Sequence, residues 1–129
     1  MTTSRTYTSI EQSRKLAEIL PLESADMYFE PAEGFCTEPS EIRVGDIKYA
    51  HPRSVPCWSL AALLEQIPYE LCDDDGNSLY LQINKEDDVY QLVYKDPDGD
   101  FESIETDRHE HFVDVCYEMI LKLKENNLL

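Results

Sequence analysis

The stretch from Pro56 to Pro68, reading PCWSLAALLEQIP, constrains the fold more than any other. Only Ser59, Glu65 and Gln66 are plainly polar between its two prolines, and the single tryptophan, Trp58, stands at its start. A helix apolar on nearly every side has to be enclosed by other elements or docked on a partner. The segment therefore predicts a central buried helix, beginning near Cys57 to Ser59 and ending before Pro68, where proline stops it. The rest of the chain reads as its enclosure.

Two segments supply walls. Leu79, Leu81 and Ile83 alternate with Tyr80, Gln82 and Asn84, and Val89, Gln91 and Val93 alternate with Tyr90, Leu92 and Tyr94. Alternation of period two between acid- and Gly-rich turns predicts antiparallel strands. Pairing Ile83 with Tyr90, Leu81 with Leu92 and Leu79 with Tyr94 gathers the bulkiest side chains on one face. Tyr80, Val89 and Val93 then form a second face, expected to be covered by another helix. Asp96-Pro-Asp-Gly-Asp100 signals a turn, and Phe101 to Glu105 a shorter third strand. The second wall is the stripe Phe112, Val115, Cys116, Met119, Ile120 and Leu123, one face of an amphipathic C-terminal helix. Asp107 is its expected N-cap, with Glu110 three residues on; Asp114 early and Lys122 and Lys124 late suit the helix dipole. Trp58, Leu60, Leu63 and Leu64 are expected to meet both walls.

The first third is less regular. Residues 1–8 are polar and read as frayed. Thr8 and Glu11 fit a capping box opening a surface helix that runs to about Leu20, before Pro21. Met27-Tyr28-Phe29 reads as extended, residues 31–41 as a mobile loop, and Ile42 to Ala50 as a short strand interrupted at Gly45-Asp46. His51 to Pro56 reads as an irregular approach to the central helix. Together these predict a single α+β domain over 1–129: an antiparallel meander of three to four strands packed against a central buried helix and an amphipathic C-terminal helix.

With 129 residues and 42% hydrophobic content the chain can bury a real core. Its charge is the unusual quantity: 11 Lys+Arg against 27 Asp+Glu gives −16. Glu70 to Glu110 alone holds 14 acids and three bases (Lys85, Lys95, Arg108). Such a chain repels phosphates and anionic lipid heads, which disfavours direct nucleic-acid or membrane binding. Solubility, a basic protein partner and cation binding remain. Cys36, Cys57, Cys72 and Cys116 form no Cys-x-x-Cys pair, and no run has signal-peptide or membrane-spanning length. A cytoplasmic protein with reduced thiols is the expectation.

Candidate chemistry is sparse. Asp96 to Asp107 carries acids at its first, third, fifth and twelfth positions (Asp96, Asp98, Asp100, Asp107), a pattern related to a calcium loop. It departs from that pattern at Phe101, where the loop needs Gly, and at Asp107, where it needs a bidentate Glu. A turn is the plainer reading, and Asp73-Asp-Asp-Gly-Asn77 reads the same way. His109 and His111 point about 200° apart on a helix and do not converge on a metal; they read as solvent-exposed residues of a first turn. Cys57 near His51 raises a thiol-nucleophile option, since a helix N-terminus lowers a thiol pKa, with buried cysteine as the ordinary alternative. No phosphate loop, nucleophile elbow or metal-spaced Cys/His set is present. No cofactor is expected.

Glu23-Ser-Ala-Asp-Met-Tyr28, Pro56-Cys-Trp-Ser-Leu-Ala-Ala-Leu-Leu64 and Asp114-Val-Cys-Tyr-Glu-Met-Ile-Leu-Lys-Leu123 resemble blocks of small acidic proteins encoded by prophages and mobile elements of gut anaerobic bacteria. The resemblance covers about a quarter of the chain and implies a bacterial cytoplasmic, mobile-element setting. The group brings no assigned activity, so no site residue is carried over. The function expected is that of a non-enzymatic accessory or interaction protein whose acidic surface binds a basic protein partner, DNA mimicry being a special case. The alternative is a small metal- or ligand-binding domain using the Asp96–Asp107 loop.

Overall fold

A computed structural model describes residues 5–31, 39–50, 52–72, 76–96 and 104–129. In chain order the elements are α1 (Ile10–Ala17), β1 (Met27–Pro31), β2 (Pro39–Val44), β3 (Val55–Cys57), α2 (Leu60–Gln66), β4 (Glu70–Cys72), β5 (Ser78–Glu86), β6 (Val89–Lys95), β7 (Ile104–Glu105) and α3 (Phe112–Glu125). All strand pairs are antiparallel and make two sheets, β2-β1-β3 and β4-β5-β6-β7. The class is α+β and the second sheet is the expected meander. The three-stranded sheet is new, and it recruits Val55–Cys57 from the stretch read as irregular. Pro56 is tolerated there because β3 is an edge strand, where a missing N–H costs no ladder bond.

α2 is the helix that Pro56–Pro68 predicts. The Ser59 hydroxyl caps it by accepting from the Ala62 N–H at 3.2 Å, every residue from Leu60 to Gln66 is a good helix former, and Ile67 before Pro68 leaves the helical region. Ala62, Leu63 and Ile67 are buried and Leu60 and Leu64 partly so. They join Trp58, Leu71, Leu79, Leu92, Tyr94 and the buried α3 residues Val113, Val115, Cys116, Met119, Ile120 and Leu123 in one cluster, with Leu81 and Phe112 at its margin. Ile83 is not part of that wall: it is 54% exposed.

The reason lies in the hairpin register. Ile83 pairs with Leu92, Leu81 with Tyr94 and Lys85 with Tyr90, two residues from the expected alignment. The turn is the two-residue Asp87-Asp88, both at positive φ (49° and 68°), so β5 and β6 pair right up to it. The facing is kept, but Ile83 is carried outward beyond the core. Tyr90 stacks edge-to-face on Phe112 with centroids 5.1 Å apart. On the other face Val93 is 1% exposed, and Tyr80 and Val89 are half-buried.

Both outer helices start later than their sequences suggest. Ser9, not Thr8, caps α1: its hydroxyl accepts from the Gln12 N–H at 3.1 Å while Gln12 Oε1 accepts from the Ser9 N–H at 3.0 Å. Thr8 is fully buried, and its hydroxyl accepts from the Trp58 N–H at 3.2 Å and bonds the Ser13 hydroxyl at 2.7 Å. Of residues 1–8, read as frayed, 5–8 are therefore held, and 1–4 lie outside the described residues. The Thr8 N–H donates to the Trp58 carbonyl and the Leu60 N–H to the Thr6 carbonyl, with a bridge between Tyr7 and Ser59. α1 ends at Ala17, although the Leu20 N–H still reaches the Leu16 carbonyl at 2.8 Å.

α3 is capped at His111, without a side-chain bond, and not at Asp107. Residues 106–109 instead continue along β6. Thr106 Oγ1 accepts from the Leu92 N–H at 3.1 Å, and His109 and Tyr90 exchange both backbone bonds. These partners outweigh an earlier helix start. Of the stretch 31–41 read as a loop, residues 39–41 are in β2 and 32–38 lie outside the described residues. β2 stops at Gly45, and Ile47–Tyr49 is a 3-10 turn, with the Lys48 N–H donating to the Asp46 carboxylate at 2.9 Å.

Candidate functional site

Of the four acids in the calcium-loop pattern, only Asp96 and Asp107 are among the described residues. Tyr94 pairs with Ile104 and Val93 with Glu105, and the Thr106 N–H bonds the Leu92 carbonyl. Continued in that register, Asp107 comes level with Gln91, roughly 17 Å along β6 from Asp96. Asp98 and Asp100 lie outside the described residues, as do Asp73, Asp74 and Asp75. Among the described residues, no group of three or more His, Cys, Asp or Glu is placed to hold a metal.

His109 and His111 precede α3 and are half-buried, not exposed on its first turn. His109 Nε2 lies 2.7 Å from Glu118 Oε1, whereas His111 Nδ1 accepts from the Arg5 N–H at 3.5 Å. They face different partners.

Cys57 is fully buried in β3, two residues before the α2 cap. Its thiol donates to the Thr8 carbonyl at 3.4 Å, and burial pushes its pKa up. A thiol held protonated is no nucleophile. His51 lies outside the described residues.

A groove of about 430 Å³ lies between the N-terminal segment and α3. Arg5 Nη2 forms an ion pair with Asp114 and donates to Gln12 Oε1 at 3.2 Å, and Gln12 Nε2 donates to Asp114 Oδ1 at 2.8 Å. Farther along, Glu118 accepts from the Asp107 N–H at 2.8 Å through one oxygen and contacts His109 through the other. Both carboxylates thus clasp separate segments onto α3: Asp114 the N-terminus, Glu118 the 107–109 approach. Their bonding capacity goes largely into these ties, which are architectural. The one advance signal was that Asp114 and Glu118 stand four residues apart, on the side of α3 away from its apolar stripe.

The meander and its flanks expose a set of carboxylates, alongside Gln82, Ile83, Asn84, Lys85 and Lys95. Glu70, Glu86, Asp87, Asp88, Glu105, Asp107 and Glu110 are all exposed. Against them stand Lys85, Lys95 and Arg108, of which Arg108 is 3.5 Å from Glu86. The meander brings the Cys72–Ser78 and Lys95–Ile104 strand ends to one end of the sheet and puts the Asp87-Asp88 turn at the other. Among the described residues no helix is long and apolar enough to cross a membrane. In comparisons with protein-family models, curated proteins and solved structures, the chain matches none of them.

Proposed function

We propose that this chain is a non-enzymatic accessory protein that binds a basic protein partner through its acidic meander, in the bacterial cytoplasm and in a mobile-element setting. The observation that carries the reading is the seven exposed carboxylates on and beside one sheet, set against three bases. Charges of one sign on a rigid sheet steer an oppositely charged surface into contact and repel phosphate. DNA mimicry is the special case in which those carboxylates occupy a basic nucleic-acid groove. Free thiols at Cys57, Cys72 and Cys116 are consistent with a reducing compartment. The resemblance of three sequence blocks to prophage-encoded acidic proteins favours the setting.

The test uses the full chain against purified basic nucleic-acid-handling proteins at about 50 mM and about 500 mM salt. Binding is expected at low salt, weaker by about tenfold or more at high salt, and for mimicry competed by duplex DNA. Absence of any salt-sensitive partner across that panel overturns the reading.

A further inference from the structure

We propose that the outer edge of β2 pairs with the same edge of a second copy, joining two three-stranded sheets into one six-stranded sheet. Three independent observations meet at this edge.

The first is length. Exposed sheet edges are commonly protected by being very short. β3 and β4 have three residues each and β7 has two, whereas β2 has six, and no described strand pairs with its outer side. The Gly45 N–H donates to the Asp26 carbonyl at 2.9 Å, which fixes the alternation: Glu41 and Arg43 turn their backbone groups toward β1, and Ile42 and Val44 turn theirs outward.

The second is charge. In a chain of −16, the stretch 39–50 is neutral: Glu41 and Asp46 against Arg43 and Lys48. Two like-charged copies can approach there at low electrostatic cost. Its order is also self-complementary. An antiparallel pair centred on Ile42 sets Glu41 of each copy opposite Arg43 of the other, at the non-hydrogen-bonded positions where side chains come closest. Within one chain Arg43 already bridges Glu30 (2.9 Å) and Glu41 (3.0 Å), so it is extended along this strand, and the second copy's Glu41 adds to that network.

The third is exposed apolar surface. Val44 at 82% and Tyr49 at 81% are the two most exposed large hydrophobic side chains among the described residues, on and just after this strand.

The inference is independent of the acidic-partner reading and carries the opposite salt signature. Salt screens repulsion between two copies of −16 and strengthens the dimer, whereas it weakens a contact with a basic protein. Sedimentation of the full chain over a concentration series, at low and high salt, is expected to show a monomer–dimer equilibrium shifted toward dimer by salt. Ile42→Pro removes an outward N–H that serves no intrachain ladder bond, and abolishes dimer. Arg43→Glu and Glu41→Arg each place like charges opposite one another and weaken self-association about tenfold. Mixing the two restores pairing between them, as does the double variant E41R/R43E. Thermal melts identify any variant that fails to fold, and the mixing experiment needs both partners folded. A chain monomeric at every concentration and salt, or a dimer indifferent to all these substitutions, overturns the proposal.

Discussion

Replacing Thr8 by valine tests whether the first residues belong to the fold. The swap keeps the side-chain shape and deletes one hydroxyl at a site with no solvent access. That hydroxyl accepts from the Trp58 N–H at 3.2 Å, bonds Ser13 Oγ at 2.7 Å and lies 3.5 Å from Cys57 Sγ. Without it the Trp58 N–H is left buried and unpaired, at a cost of about 1–3 kcal/mol. Ser13 still has the Cys57 thiol within reach and adds less. A loss of about 2–3 kcal/mol is expected, or roughly 6–12 °C in Tm for a chain of this size. Thr8→Ser keeps the bonds and removes one methyl, for about 1 kcal/mol. Urea unfolding of the wild type and the two variants at equal m-value decides the matter. A Thr8→Val protein within about 0.5 kcal/mol of wild type, or a Thr8→Ser protein less stable than the Thr8→Val one, refutes the polar account of this junction.

Leu63→Ala empties a fully buried site between α2 and α3 and should cost about 2–5 kcal/mol, while Ile83→Ala, at a position 54% exposed, should change stability by no more than about 0.5 kcal/mol in the same urea assay. Cys57 and Cys116 should resist a mild thiol reagent in the folded chain while Cys72, which is exposed, reacts quickly, as read by peptide mass mapping. Burial pushes the Cys116 thiol from 9.0 up to about 12, so between those values the unfolded chain ionises and the folded one does not. Stability conferred by the neutral thiol is complete below about pH 9 and falls above it by up to about 1.4 kcal/mol per pH unit; Cys116→Ala should flatten that decline. Glu118→Ala removes the ties to the Asp107 N–H and His109, and should cost about 1–2 kcal/mol with faster hydrogen exchange at Tyr90 and His109.

Those elements were legible whose signals are local. α2 is bracketed by its own Ser cap and Pro stop, and α3 by an unbroken apolar stripe, so each could be read within a few residues. β3 was not legible: Cys57 pairs with Met27 far back in the chain, and Pro56 argues against a strand until its edge position is known. Thr8 looked like a cap because Glu11 follows at the right spacing. Only the packing of β3 against the N-terminus gives its hydroxyl a better partner. The clasps of Asp114 and Glu118 were hidden for a related reason, since both partners of each come from outside α3.

The hairpin shows where side-chain pattern stops being informative. The expected and observed registers differ by two residues, and a shift of two returns every side chain to the same face. Hydrophobic alternation therefore cannot choose between them; only the turn can. Asp87-Asp88 closes a two-residue turn because Asp tolerates positive φ better than most residues, a fact carried by backbone sterics and absent from the alternation. The consequence reaches the surface: Ile83 moves out of the core and the Asp87-Asp88 carboxylates become the tip of the sheet. The charge total has the same blindness. A sum of −16 conceals a neutral stretch at 39–50, and that stretch acquires meaning only once β2 is seen to be the longest edge strand among the described residues.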